Sequence, residues 1–223
     1  MDLANSVFFL VNGRAKICNL TPDGKQSILA FINPGELFGE LALLGEDQRD
    51  EYAETIDAST VVMIPDIEME RLMEEFPRVS LGITKIIGMR RKRIERRLRN
   101  LLFLSNRERL THLLLELAEE YGKRTSEGVE LGVKLSHQEL ANVIGSTRET
   151  VTVVLGELQA GGLVKVGRRR IVLLNTKSLA MSVHRNDPLP MGNTTATDTD
   201  TGRGTDTNSP FRRSGPIQFR TAD

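Results

Sequence analysis

Residues Leu135–Leu158 read LSHQELANVIGSTRETVTVVLGEL, and their pattern decides the fold of the C-terminal half. Ser136 and Glu139 fit S-x-x-E, a capping box in which two side chains satisfy exposed N–H groups at a helix start. Leu140, Val143 and Ile144 then recur at helical spacing and give that helix one apolar face. Gly145 follows, where the helix must stop and the backbone needs a positive φ. A second helix opens at Ser146 or Thr147, either of which can cap it, with Val151, Val154, Leu155 and Leu158 as its buried stripe. Ala141 is small enough to let the two axes approach. Two short helices around a tight turn form helix-turn-helix spacing, with the second helix free to enter a DNA major groove.

The side chains off that stripe fit DNA. Arg148, Glu149, Thr152 and Val153 lie near the start of the second helix. Arginine can bond guanine O6/N7 bidentately, glutamate can accept from cytosine N4, and threonine serves phosphate or base. Ser136, Gln138 and Thr147, at or near the two helix starts, complete the set of expected contacts. The next residues, GGLVKVGRRRIVLLN, place two apolar strands around Gly167 as a hairpin wing, with Arg168, Arg169 and Arg170 in reach of phosphates. This helix-turn-helix and wing closely resemble the cyclic-AMP receptor protein (Crp/Fnr) family of bacterial transcription regulators, and S-T-R-E-T-V matches its recognition helix especially well. The resemblance implies a homodimer on double-stranded, pseudo-palindromic DNA, with RNA polymerase as a further partner.

Charge is segregated along a chain that is neutral overall. Residues 1–77 carry 5 Lys/Arg against 15 Asp/Glu, residues 78–120 carry 11 against 5, and residues 121–182 carry 9 against 5. An acidic front and a basic back are expected when only the back faces nucleic acid. No run approaches the ~20 apolar residues needed to cross a bilayer, and the N-terminus lacks a signal peptide's layout, so the expected location is cytoplasmic. A single cysteine, Cys18, excludes a disulfide within the chain and a four-cysteine iron–sulfur cluster. It lies in an apolar strand pattern and reads as core.

The front reads as β. SVFFLV, RAKICNL, QSILAFI and STVVMIP are short β-branched and aromatic runs separated by turn signals at Asn12-Gly13, Pro22-Asp23-Gly24 and Asn33-Pro34-Gly35, the pattern of a small roll. Gly39 and Glu40 open a short helix, GELALL, whose exposed N–H groups could hold an anion, and Arg49 can return to the same anion from a loop. Under the resemblance this is the phosphate-binding cassette of a cyclic-nucleotide roll. Gly39, Glu40 (a ribose hydroxyl acceptor in the family), Leu41 and Arg49 (the phosphate partner) are then the matching positions. Asp50 stands where cyclic-AMP binders have serine, and a carboxylate beside a phosphate is repulsive. Two readings stay open: a site for a small anionic or nucleotide-like effector at Gly39, Glu40, Leu41, Arg49 and Asp50, or a scaffold in which Glu40 pairs with Arg49.

Residues Pro77 to Leu104 read as one long helix. Ile83, Ile87, Ile94, Leu98 and Leu101 form a seam, with Arg90 at its one missing position. The resemblance makes it the dimer helix, and puts Ile94 and Glu95 where cyclic-AMP binders present a Thr-Ser pair to adenine. The basic run Met89–Arg99 reads as a solvated outer face. Arg107–Gly122 is an amphipathic helix, and His112 on it reads as a surface residue without metal-ligand partners. Beyond Met181 the chain turns Thr/Asp/Gly-rich and is expected to be disordered. The family's roll ordinarily begins two strands before SVFFLVNGRAKI, so the expectation is that the true start lies upstream of Met1 or that this product is compromised.

The expected architecture is α+β: a cyclic-nucleotide-binding-like β-roll over residues 1–76, apparently missing its first strands, a dimerisation helix over 77–104, a winged helix-turn-helix over 105–181 and a tail over 182–223. No nucleophile–base pair, metal spacing or phosphate-loop motif supports an enzyme. The expected function is a homodimeric, sequence-specific transcription regulator whose effector, bound in the roll, sets operator affinity. A dimeric DNA-binding protein with the roll as scaffold or partner surface is the alternative.

Overall fold

A computed structural model describes residues 4–45 and 48–185. The N-terminal part holds two antiparallel three-stranded sheets. In the first, β1 (Ser6–Asn12) lies between β4 (Leu37–Phe38) and β6 (Thr60–Pro65), with Phe8 opposite both Phe38 and Met63. In the second, β2 (Ala15–Leu20) lies between β3 (Gln26–Ile32) and β5 (Glu51–Thr55). The register of β2 on β3 shifts between Ile17, opposite Ala30, and Cys18, opposite Ile28. That bulge raises the local twist and helps curl the sheet. Leu10, Ala15, Ile17, Ala30, Ile32 and Phe38 pack as one apolar cluster inside this roll.

Three elements of the front were not legible as such, the two-residue strand β4 among them. EYAET, strongly acidic, forms β5 because its backbone completes the edge of β2, although its side chains are mostly exposed. Asp66–Glu75 is a helix, α1, with an Asp66 side chain bonded to the Ile67 N–H and only Met69 fully buried. Met69 packs with Val7, Leu37 and Ile83, so α1 seats the roll on the next helix.

That helix, α2 (Pro77–Phe103), starts with proline at its first position, where the missing N–H costs nothing. Arg91, Lys92 and Arg99 are exposed, as expected of a solvated face, but other members of the basic run are engaged with neighbouring elements. Arg97 donates to the Ile28 and Leu29 carbonyls at 3.2 and 2.8 Å, Arg96 pairs with Glu116 at 3.2 Å, and Arg93 lies 3.8 Å from Glu120. Arg90, expected in the seam, turns into the roll instead.

The C-terminal part comprises α3 (Asn106–Tyr121), α4 (His137–Ile144), α5 (Arg148–Ala160) and α6 (Thr176–Ser182). Beside them lies a four-stranded sheet in the order β7 (Gly122–Arg124), β8 (Val129–Leu131), β10 (Arg170–Leu173), β9 (Val164–Gly167). Leu110, Leu114, Leu140, Val151, Leu155, Leu158, Leu173 and Leu179 are almost wholly removed from water. Capping boxes close α3 at Ser105/Glu108 and α4 at Ser136/Glu139. The packed region extends past Met181: Val183 is buried, and Arg185 donates to Glu119 and to the His112 carbonyl. The rest of the expected tail, from residue 186, lies outside the described residues. His112 is half-buried, not on the open surface, and burial, then the nearby Arg185 charge, lowers its pKa.

The turn of the helix-turn-helix offers a direct test. Gly145 has φ 64°, and a Cβ there would stand 2.9 Å from Leu101 Cδ2 at the end of α2. Gly145→Ala should lower stability by about 1–2 kcal/mol through the left-handed backbone alone. Chemical denaturation measures it, and removing the Leu101 contact with Leu101→Ala should not restore the loss.

Candidate DNA-reading face and effector cavity

Thr147, not Ser146, caps α5: its hydroxyl accepts from the Thr150 N–H at 3.2 Å. Gly145 in the left-handed region turns the chain between α4 and α5, and Ala141, fully buried, sits where the two helices meet. Val151, Val154, Leu155 and Leu158 face the core, so Arg148, Glu149, Thr152 and Val153 are left on one exposed face. Glu149 is held below the usual carboxylate range by a backbone hydrogen bond at the helix start and by Thr147, so it is an anionic acceptor. The Thr152 hydroxyl donates to the Arg148 carbonyl at 2.8 Å and lies 2.9 Å from His137 Nδ1. Its proton is therefore committed, and toward DNA it can only accept or offer its methyl group.

On α4, Ser136 is occupied as the cap, accepting from the Glu139 N–H at 3.2 Å, and Gln138 donates to Asn142 at 2.8 Å. The wing tip places Arg168 and Arg169 in solvent, with Arg169 at φ 53°, an uncommon conformation for a side-chain-bearing residue. Arg170, expected to join them, is instead paired with Glu130 at 2.8 Å on the neighbouring strand. His137 was missed by the sequence reading; only its position at the first turn of α4 marked it.

Between the two sheets of the roll lies a cavity of about 460 Å³, lined by Phe8, Ile17, Glu40, Arg49 and Asp50 among others. Glu40–Leu44 is a short 3-10 helix preceded by Gly39 at φ 74°. A Cβ on Gly39 would stand 2.9 Å from Arg49 Nη1 and 3.1 Å from the Phe8 ring, so only glycine lets the guanidinium lie this close. Arg49 donates to the Ser6 carbonyl and stacks over Phe8, its carbon 5.1 Å from the ring centre. The structure thus brings Gly39, Glu40, Leu41, Arg49 and Asp50 to one cavity wall.

One expectation is corrected there. Glu40 does not pair with Arg49; it pairs with Arg90 of α2 at 2.7 Å, and Arg90 also donates to the Leu37 carbonyl. Both side chains are about 15% exposed or less, so this is a largely desolvated pair. Arg49 is drawn away by Ser6 and Phe8, and the 3-10 helix aims Glu40 at α2. A second chamber of about 400 Å³ continues from Glu40 to Ile87, Arg90, Ile94 and Glu95. Glu95 there bonds Arg91 at 2.8 Å. Among the described residues no cluster of three His, Cys, Asp or Glu side chains suits a metal ion, and no helix is long and apolar enough to cross a membrane.

These features have counterparts in known proteins. Residues 1–76 match the cyclic nucleotide-binding domain, and residues 108–181 match the Crp-like helix-turn-helix domain. The chain is 29% identical over 181 residues to the global nitrogen regulator of Synechocystis, covering 80% of each chain. It is 28% identical over 166 residues to the cyclic AMP receptor protein of Thermus thermophilus, covering 74% of each. The c-di-GMP-responsive global regulator CLP of Xanthomonas campestris superposes with a TM-score of 0.71 at 26% identity, over 77% of this chain and 86% of that one. A CRP-family transcriptional regulator of Thermus thermophilus gives 0.71 at 27% identity, over 83% and 91%. Two domain families in the same order, and whole regulators alike over four-fifths of the sequence, lead to one conclusion: the chain belongs to the Crp/Fnr family of transcription regulators.

Proposed function

We propose that the protein is a cytoplasmic homodimer that reads a pseudo-palindromic operator through α5 and answers to an effector in the roll, with RNA polymerase as the partner of its output. The observation that carries this reading is the exposed face of α5, where Arg148, Glu149 and Val153 stand over a fully packed helix-turn-helix. Arg148 and Glu149 read bases, Val153 offers apolar contact such as to a thymine methyl, and Arg168 and Arg169 position the protein on phosphates. The seam of α2 supports the dimer: Ile87, Ile94, Leu98 and Leu101 are each 43–55% exposed in a single chain. Such a stripe at heptad-like spacing is covered when a second copy of the helix packs on it.

Cyclic AMP is a poor fit for the cavity as the principal effector. Asp50 adds a carboxylate to the phosphate side, Glu40 is already engaged by Arg90, and Ile94 and Glu95 supply no hydroxyl for adenine. The relatives' names show that ligands differ across the family, from cyclic AMP to c-di-GMP. A ligand with an anionic group for Arg49 and a second polar group for the Glu40–Arg90 pair suits these residues better.

Four outcomes are expected. In binding assays on selected duplexes, Arg148→Ala should cost about 1–3 kcal/mol and relax one guanine position. Arg169→Ala should weaken all sequences alike and reduce the salt slope by about 0.9. Replacing Ile94 with glutamate should convert a dimer to monomer in sedimentation analysis and abolish operator binding at the same protein concentration. Calorimetric titration with cyclic AMP should show binding at least about a hundredfold weaker than a micromolar site, as expected when two charge-assisted hydrogen bonds of ~1.5–3 kcal/mol are missing. Micromolar affinity coupled to DNA binding would overturn that reading.

A further inference from the structure

One sheet separates the roll's cavity from the DNA reader. In β2 and β5, successive side chains point to opposite faces. Ala15, Ile17, Ala53 and Thr55 line the cavity. Their neighbours Lys16, Cys18 and Glu54 face the other way, together with Ile28 and Phe31 of β3. Cys18, Ile28 and Phe31 belong to the same continuous apolar core as Leu140, Ala141 and Val143 of α4. The sheet is therefore cavity wall on one side and docking face for the reader on the other, with no intervening layer.

Two polar connections run from the sheet to α4. Lys16 is 5% exposed; its ammonium lies 3.2 Å from Glu54 on β5 and 2.7 Å from Glu139 on α4. The same Glu139 carboxylate accepts from the Ser136 N–H at 2.8 Å, so the charge from the roll grips the cap of the reader's first helix. In the second connection, Gln26 of β3 donates to the Tyr52 hydroxyl on β5 and accepts from Asn142 at 2.8 Å. Asn142 in turn accepts from Gln138 at 2.8 Å, on the exposed side of α4.

We propose that this sheet transmits occupancy of the cavity to the reader of the same subunit, with Lys16 and Gln26 as its positioning residues. The proposal rests on the reading that the cavity holds an effector. A group pressing on Ala53 or Thr55 shifts β5, and Glu54 and Tyr52 shift with it. Lys16 is held by both carboxylates at once, and parting from both would leave a buried, unpaired charge, a strongly unfavourable state. The first turn of α4 therefore follows the strand, and with it the start of the face presented to DNA.

The test uses the full-length protein and a duplex recovered by binding selection. Ala53→Phe fills the cavity side and should shift operator Kd at least fivefold. Glu139→Gln removes the ionic grip yet retains a capping side chain; in that background the shift should fall below twofold. Lys16→Arg should keep it. Hydrogen exchange at amides 137–144 should quicken in Glu139→Gln. Where Ala53→Phe does not fold, Thr55→Phe, on the same face of β5, replaces it. An equal shift in both backgrounds, or no shift with either cavity variant, overturns the proposal. Calorimetry with cyclic AMP and with cyclic di-GMP tests the cavity separately. Heat of binding without coupling between variants keeps the cavity reading and removes the transmission; coupling without heat keeps the transmission and removes those nucleotides.

Discussion

A buried ammonium, that of Lys16, ties the roll to the first helix of the reader, beside an apolar core that the two share. Burial alone disfavours its charge, but Glu139 and Glu54 outweigh that penalty and hold its pKa above the ordinary lysine value. Glu139 shows the complementary shift. Burial would raise its pKa, but Lys16 and the Ser136 cap bring it below the usual carboxylate range. A raised lysine contributes stability that is fully present below its unfolded pKa and is lost as pH rises through its folded pKa. A depressed glutamate contributes stability that is complete above about pH 4.3 and lost as acid protonates it. The roll and the first reader helix are thus tied by charge throughout the physiological range.

What could be read from sequence divides along the distance over which an interaction acts. The helix-turn-helix was legible because its determinants are local: a cap and its partner three residues apart, a glycine where φ turns positive, and an apolar stripe at helical spacing. The strands of the roll followed from alternation and turn residues. The controlling pairs were not legible. Glu40 finds Arg90 fifty residues away, and Lys16 finds Glu139 across 123 residues. Nothing in either neighbourhood distinguishes the partner actually chosen from Arg49 or from Glu54 alone. Strand β5 and helix α1 were missed for a related reason. Each is mostly exposed and charged, and each owes its place to distant partners, β2 for the strand and Val7, Leu37 and Ile83 around Met69 for the helix.

The arginines of α2 show why a charge run cannot be assigned from periodicity. By composition they resemble an outer coiled-coil face. In place, Arg90 neutralises Glu40, Arg97 satisfies two carbonyls of β3, and Arg96 and Arg93 approach acids of α3. The long helix is therefore joined to the roll and to the reader by hydrogen-bonded cations, while its exposed aliphatic seam remains for another surface. A cation with several fixed donors suits this task, since guanidinium can serve a carboxylate and a carbonyl at once.

The reading face is chemically sparse, and that constrains how specificity arises. Thr152 has spent its hydroxyl proton on the Arg148 carbonyl, Ser136 is occupied as a cap, and Gln138 is bonded to Asn142. On α5 the polar groups left to address base edges are Arg148 and Glu149, with Val153 contributing only an apolar surface. One donor and one acceptor side chain on α5, with the second N–H and the carbonyl that Gln138 keeps on α4, can distinguish few positions directly. On the proposed reading the remaining discrimination comes from placement: phosphate contacts at the wing would fix the register, and the shape of the DNA between half-sites would decide whether both copies of α5 can be seated together. A reader built this way depends on the orientation of its helices more than on the number of its contacts. Its affinity is then open to control by anything that moves α4, and α4 rests directly on the wall of the roll's cavity.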